Sequence, residues 1–270
     1  MMWDIQKVSK TKITNPILIE GLPGMGNVGK IAVDFLIDSL NAEKIFEITS
    51  HSMPHCVFVN EDNLVELPEI EIYHKKIKDK SFLFLSGDIQ PINEQSCYEF
   101  CHAILDNFQK DKGKEIVTLG GIGLASVPED PKVYCTGNDK KFIKKFIKSK
   151  TINENIHGVV GPIVGVSGLL TGLAGKRKIP AISLLAETFS HPNYLGIKGA
   201  KEILRAIDEE YKLKLNLSEL DEEIEMVDQA VKKVKTNKKQ ERKGLNISKV
   251  KKVMNTRKIN TIETDTDYIG

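Results

Sequence analysis

Residues 20–34 read EGLPGMGNVGKIAVD, and two phosphate-binding patterns overlap in them. Gly24, Gly26 and Gly29 form G-x-G-x-x-G, while Gly24 to Lys30 form G-x-x-x-x-G-K. Both use glycine to let backbone N–H groups approach a phosphate at a helix N-terminus. The Walker pattern needs Ser or Thr after its lysine to hold magnesium, and here Ile31 and Ala32 follow Lys30. Asp88, after FLFLSG, is the one nominal acidic partner. The dinucleotide pattern is better placed, between a strand and a helix, and calls for an acidic residue about 20 positions on. Glu47 stands near that distance, but within KIFEITS rather than at its end. The alternative is that the glycines allow a tight strand-to-helix turn and close packing, with Lys30 beside them.

Other reactive residues are scattered. His51 and His55 are four apart with Pro54 between them, so they share no helix. Cys97 and Cys101 share a helical face next to His102, but a metal would need two further ligands. Buried thiols in a reducing compartment are the simpler expectation, and no metal or cofactor is expected. Ser86, Ser126 and Ser167 lack the G-x-S-x-G frame of a nucleophile elbow. Glu187, Thr188 and His191 follow a buried strand, at the edge where open α/β sheets bind ligands.

Several elements must hold these residues. Ile17–Ile19 is a short buried strand running into the glycines, and KIAVDFLIDSL has helical periodicity. KIFEITS, KSFLFLSGD, EIVTLGGIG, VYCTGND and AISLLAE read as strands. CVFVN and NLVELPEIEIYHKK alternate apolar and polar residues around a turn at Glu61-Asp62-Asn63, as an antiparallel hairpin does. Residues 96–109, a glycine-rich segment ending near Leu173, 198–210 and 217–235 are expected helices, with a strand or turn at 159–162. Ser218 suits an N-cap for the last helix. Its apolar residues Leu220, Ile224, Val227 and Val231 are spaced for one face, a candidate for self-association.

Strands and helices alternate, so the expected fold is a three-layer α/β domain with a mainly parallel sheet and one inserted hairpin. The division drawn is an α/β domain over 1–212, a helical extension over 213–235 and a basic tail over 236–270. The chain has 270 residues and a formal net charge of +2. Residues 232–258 carry twelve Lys or Arg against Glu241 alone, whereas residues 1–231 are mildly acidic. A basic, aromatic-poor tail is expected to be flexible and to favour an acidic partner surface. It lacks stacking platforms between 232 and 258, which argues against nucleic acid. No apolar run reaches the length of a membrane helix, and MMWDIQKVSK has no signal core, so the expected location is the cytoplasm.

Three blocks resemble one family in their order and spacing: EGLPGMGNVGKIAVDFLI at 20–37, GGIGLASVPEDPKVYCTGND at 120–139, and the long block from Gly161 to Leu204. The chain is similar here to the proteasome assembly chaperones of the second type, in their archaeal form. The resemblance implies a fold like that of nucleoside phosphorylases without their activity, homo-oligomers, and ATP-independent binding of proteasome core subunits. It also makes the glycine loop part of the fold. Proteins of this kind can end in a hydrophobic–Tyr–any-residue tail that inserts between α subunits. This chain ends Tyr268-Ile269-Gly270, with the aromatic and aliphatic residues in the reverse order. Those three residues are the expected partner contact.

Overall fold

The computed structural model describes residues 3–148, 151–153, 156, 158 and 161–237. The chain forms β1 (Asp4–Lys7), β2 (Ile17–Glu20), α1 (Val28–Ser39), β3 (Glu43–Thr49), β4 (Phe58–Val59) and β5 (Val65–Glu66). It continues through β6 (Ile70–Ile77), β7 (Lys80–Gly87), α2 (Glu94–Lys110), β8 (Glu115–Leu124), β9 (Val133–Gly137) and α3 (Lys140–Ile147). Last come β10 (Ile152–Asn153), α4 (Val166–Lys176), β11 (Ala181–Phe189), α5 (Ile197–Tyr211) and α6 (Glu219–Asn237).

The main sheet has the order β1-β3-β6-β7-β2-β8-β11-β9-β10. Its centre, β7-β2-β8-β11, is parallel. Antiparallel pairing takes over on both flanks, at β1-β3-β6-β7 and at β11-β9. The segment from Ile70 to Ile77 therefore joins this sheet between β3 and β7. The hairpin expected around Glu61-Asp62-Asn63 is the separate pair β4-β5.

Side chains alternate across the central strands, as the period of two requires. Ile17 and Ile19 of β2 enter a core with α1, α3, α5 and Leu220 of α6. Leu18 enters the opposite core, with α2, α4 and Trp3. Two helical layers thus sandwich the sheet, which is the three-layer arrangement the strand–helix alternation implies. Two helices have clear start signals: Asn93 accepts from Ser96 N and Asp139 from Phe142 N, at 2.8 and 2.7 Å. Ser218 instead turns its hydroxyl to Asn216, 2.7 Å away.

Candidate functional site

β2 feeds α1 on one face of the sheet and β7 feeds α2 on the other, so the chain diverges at the carboxyl ends of these neighbours. Such a switch point is where open α/β sheets bind ligands. The glycine loop occupies it. Met25–Asn27 form a 3-10 turn, with Gly26 and Asn27 left-handed at φ 60° and 50°. Glycine takes this conformation without a Cβ penalty, and asparagine is among the residues that tolerate it.

The loop is pressed into the protein. A Cβ on Gly26 would lie 2.5 Å from Thr188 Oγ1, and one on Gly29 would lie 2.4 Å from the Leu119 carbonyl oxygen. One on Gly21 would meet the Gly29 carbonyl oxygen at 2.1 Å. Gly26 O already accepts from Gly196 N at 2.8 Å. Only the surroundings of Gly24 are open. α1, β11 and β8 thus exclude a side chain at Gly21, Gly26 and Gly29, and the loop packs closely on them.

Lys30 is equally committed. It is buried, with Nζ 3.1 Å from Asp34 and 3.8 Å from Asp88. Asp34 also accepts from Ser86 Oγ at 2.5 Å, and Asp88 accepts from Glu69 N at 3.1 Å. Burial raises the Asp34 carboxyl above its ordinary range, and Lys30 opposes that rise. The group borders a cleft of about 180 Å³ that includes Glu71 and Tyr73. Burial and its bond to Glu71 push the Tyr73 hydroxyl upward. Asp88, the nominal magnesium ligand, thus serves as a clasp between β7 and the start of β6.

On the other side of β2, Glu20 is fully buried. Oε1 accepts from Leu22 N at 3.1 Å and from Ser167 Oγ at 3.4 Å, while Oε2 has no hydrogen-bond partner. Desolvation pushes its carboxyl up to about 7. Gln90 ties the neighbouring loops together. Its Nε2 donates to Pro23 O at 2.7 Å, and its Oε1 accepts from Val166 N at 3.3 Å.

The remaining candidates disperse. Ser167 donates to Leu119 O at 3.3 Å as well as to Glu20, and Ser126 is exposed on the loop after β8. Glu187 accepts from Lys132 N at 3.0 Å and Tyr134 Oη at 3.2 Å, holding β9 beside β11. His191 stacks on Phe189 with ring centres 5.5 Å apart. Cys97 and Cys101 are buried free thiols, and His102 faces Arg177. No cluster able to hold a metal occurs among the described residues. Leu220 is wholly inside the chain's own core, with Ile224 and Val227 packed part-buried against it. The Val231 side chain, Val159, Tyr268, Ile269, Gly270 and the basic tail beyond Asn237 lie outside the described residues.

Sequence reasoning did not single out Glu20, Asp34 or Gln90. Asp34 stood four residues after Lys30, an ion-pair spacing on a helix. Gln90 carried no such signal, because its partners are 67 and 76 positions away.

Fold and loop together define a class: a three-layer α/β protein whose glycine turn is consumed by its own packing. The chain belongs to the PAC2 family, whose model matches residues 18–235. It is similar to the crystal structure of Pyrococcus furiosus PbaB, an archaeal proteasome activator, with 30% identity and a TM-score of 0.80 over 87% of this chain and 99% of that one. P. furiosus PbaA, an archaeal homolog of proteasome-assembly chaperone, shares the fold at 22% identity and a TM-score of 0.71 over 93% and 98% of the two chains. A relative from Methanocaldococcus jannaschii, the uncharacterized protein MJ1210, is 30% identical over 224 residues, covering 83% of this chain and 84% of its own length.

Proposed function

We propose that the chain is a non-enzymatic, ATP-independent proteasome assembly chaperone or adaptor that self-associates and binds proteasome core α subunits. The observation that carries this reading is the likeness to PbaB over nearly the whole of that chain, within the family that the chain belongs to. The glycine loop is consistent with it, because close packing gives Gly21, Gly26 and Gly29 a use in the fold itself.

Tyr268-Ile269-Gly270 is the proposed anchor: an aromatic and an aliphatic group that follow a basic segment. A tethered contact gains strength from local concentration, so a weak terminal interaction suffices. Self-association would use what Ile224 and Val227 leave accessible, with Val231 beyond them, since Leu220 is spent in the core. The cytoplasm is the proposed compartment; no helix among the described residues is long and apolar enough to cross a membrane.

The test is a pull-down of purified cognate α subunits by the full chain and by a chain lacking residues 268–270. Binding that falls on truncation supports the anchor. Equal binding by both forms leaves the partner and moves the contact to the folded body. Absence of binding by either form refutes the proposal.

A further inference from the structure

Eleven large hydrophobic side chains are exposed among the described residues, and five of them lie on or beside the β4-β5 hairpin. Val59 and Val65 are paired across it. Directly opposed residues of an antiparallel pair share a face, and residues two apart in an extended strand do so too. Val57 and Leu67, just outside the ladder, therefore fall on the side of Val59 and Val65. These four are half to three-quarters exposed, and Leu64 is also exposed, at the turn. On the other side of the ribbon Phe58 packs on the core that includes Trp3 and Ile48, while its cross-strand partner Glu66 is exposed.

The hairpin does not need that outer face for its own structure. Asn60 Oδ1 accepts from Asp62 N and Leu64 N at 3.0 and 2.9 Å, and Asn60 Nδ2 donates to Glu66 at 2.9 Å. Asn63 turns the chain at φ 60°. A two-stranded ribbon is marginal in water without packing on one face, and Phe58 supplies that packing. The aliphatic stripe is left over. An exposed apolar stripe rimmed by polar groups marks an interaction surface.

Charge narrows the occupant. Residues 57–69 contain Glu61, Asp62, Glu66 and Glu69 and no Lys, Arg or His. Glu61 and Asp62 rim the stripe at the turn, while Glu66 lies on the Phe58 side and Glu69 lines the cleft beside Lys30, and a second copy of the same face would offer these carboxylates no cation. A partner whose aliphatic side chains sit among lysines or arginines would match both features. Position fits as well. The hairpin follows β3, which runs parallel to β7, so it rises from the same carboxyl edge as the loop after β2. Met25, Ile92 and Val164 are exposed on loops at that edge, each within two residues of a group that touches Gln90 or of Gln90 itself.

We propose that the β4-β5 hairpin is a second docking element, through which the folded body holds a basic, aliphatic surface of the proteasome α subunit. This rests on the α-subunit reading above and adds to it a contact independent of the C-terminal tail. Two weak contacts on one partner would multiply in affinity.

The test is a titration of cognate α subunits with the full-length protein and three variants: Val59→Ser/Val65→Ser, Glu61→Lys/Asp62→Lys, and the chain lacking residues 268–270. All substituted side chains are exposed, and circular dichroism with thermal melting verifies that each variant folds. The expected result is that both hairpin variants bind about tenfold more weakly or worse with the tail intact. The deficit of the charge-reversal variant should shrink at high salt. Hairpin variants that bind like the parent while the tail truncation weakens binding would overturn the hairpin and leave the proteasome reading standing. Hairpin variants that change only the oligomeric state would assign the face to a second copy and also overturn it. If the parent itself ignores α subunits, both readings fall together.

Discussion

The glycine loop and the β4-β5 hairpin sit at the same edge of one sheet and spend their side chains in opposite ways. In the loop, Gly21, Gly26 and Gly29 have no room for a single added carbon, and Lys30 is buried between carboxylates. In the hairpin, the bonds that shape the turn are local and the aliphatic side chains point outward. The difference teaches that glycines spaced like a ligand site can serve close packing within the fold. The surface with unspent free energy lies where the sequence suggests only a plain hairpin.

The largest effect is expected at Gly29. Gly29→Val would drive side-chain atoms into the Leu119 backbone and should destabilise the protein by roughly 3 kcal/mol, read by chemical denaturation. A variant as stable as the parent would mean that the loop has slack and a ligand has room. Lys30→Met comes next. It leaves Asp34 buried beside Asp88 without its cation, a change that costs about 3 kcal/mol in comparable pairs. Part of that loss should be regained on acidification, as Asp34 becomes neutral.

Glu20 gives a prediction in pH. Its carboxyl is pushed up to about 7 in the folded protein, from an ordinary value of 4.5. Between those values the folded state holds a proton that the unfolded state has released, so stability falls as pH rises. The full span is on the order of 3 kcal/mol, and Asp34, also raised, acts in the same direction. Denaturation curves of the parent and Glu20→Gln across that window should differ in slope, the variant being flatter. Smallest of all is Val59→Ser/Val65→Ser, expected within about 0.5 kcal/mol of the parent per site because these side chains are largely exposed. A larger loss would show that the stripe serves the fold after all.

Much of the frame is legible in residue order. The apolar runs ending in glycine became β2, β7 and β8, and the helix after Gly29 became α1. The turn at Glu61-Asp62-Asn63 holds because Asn60 and Asn63 suit a local bond and a left-handed residue. What was not legible has physical reasons. β1 reads DIQK, too short and polar to declare itself, and it exists only as an edge on β3. The helix α3 hides in KKFIKKFI, where only Phe142 and Phe146 are buried at a helical spacing. The strand from Ile70 continued the alternation of the hairpin, and sequence does not say where one ribbon ends and the sheet begins. At the site, the position of Glu20 after an apolar run was visible, but its desolvation depends on α4, almost 150 residues away.

Hydrogen exchange of the full-length protein, followed by mass spectrometry with and without purified cognate α subunits, tests the central contrast most directly. The expected result is that the partner newly protects residues 57–67 and leaves residues 21–29 unchanged. Protection gained at 21–29 with 57–67 unaltered would contradict it and return the glycine loop to the place of the binding site.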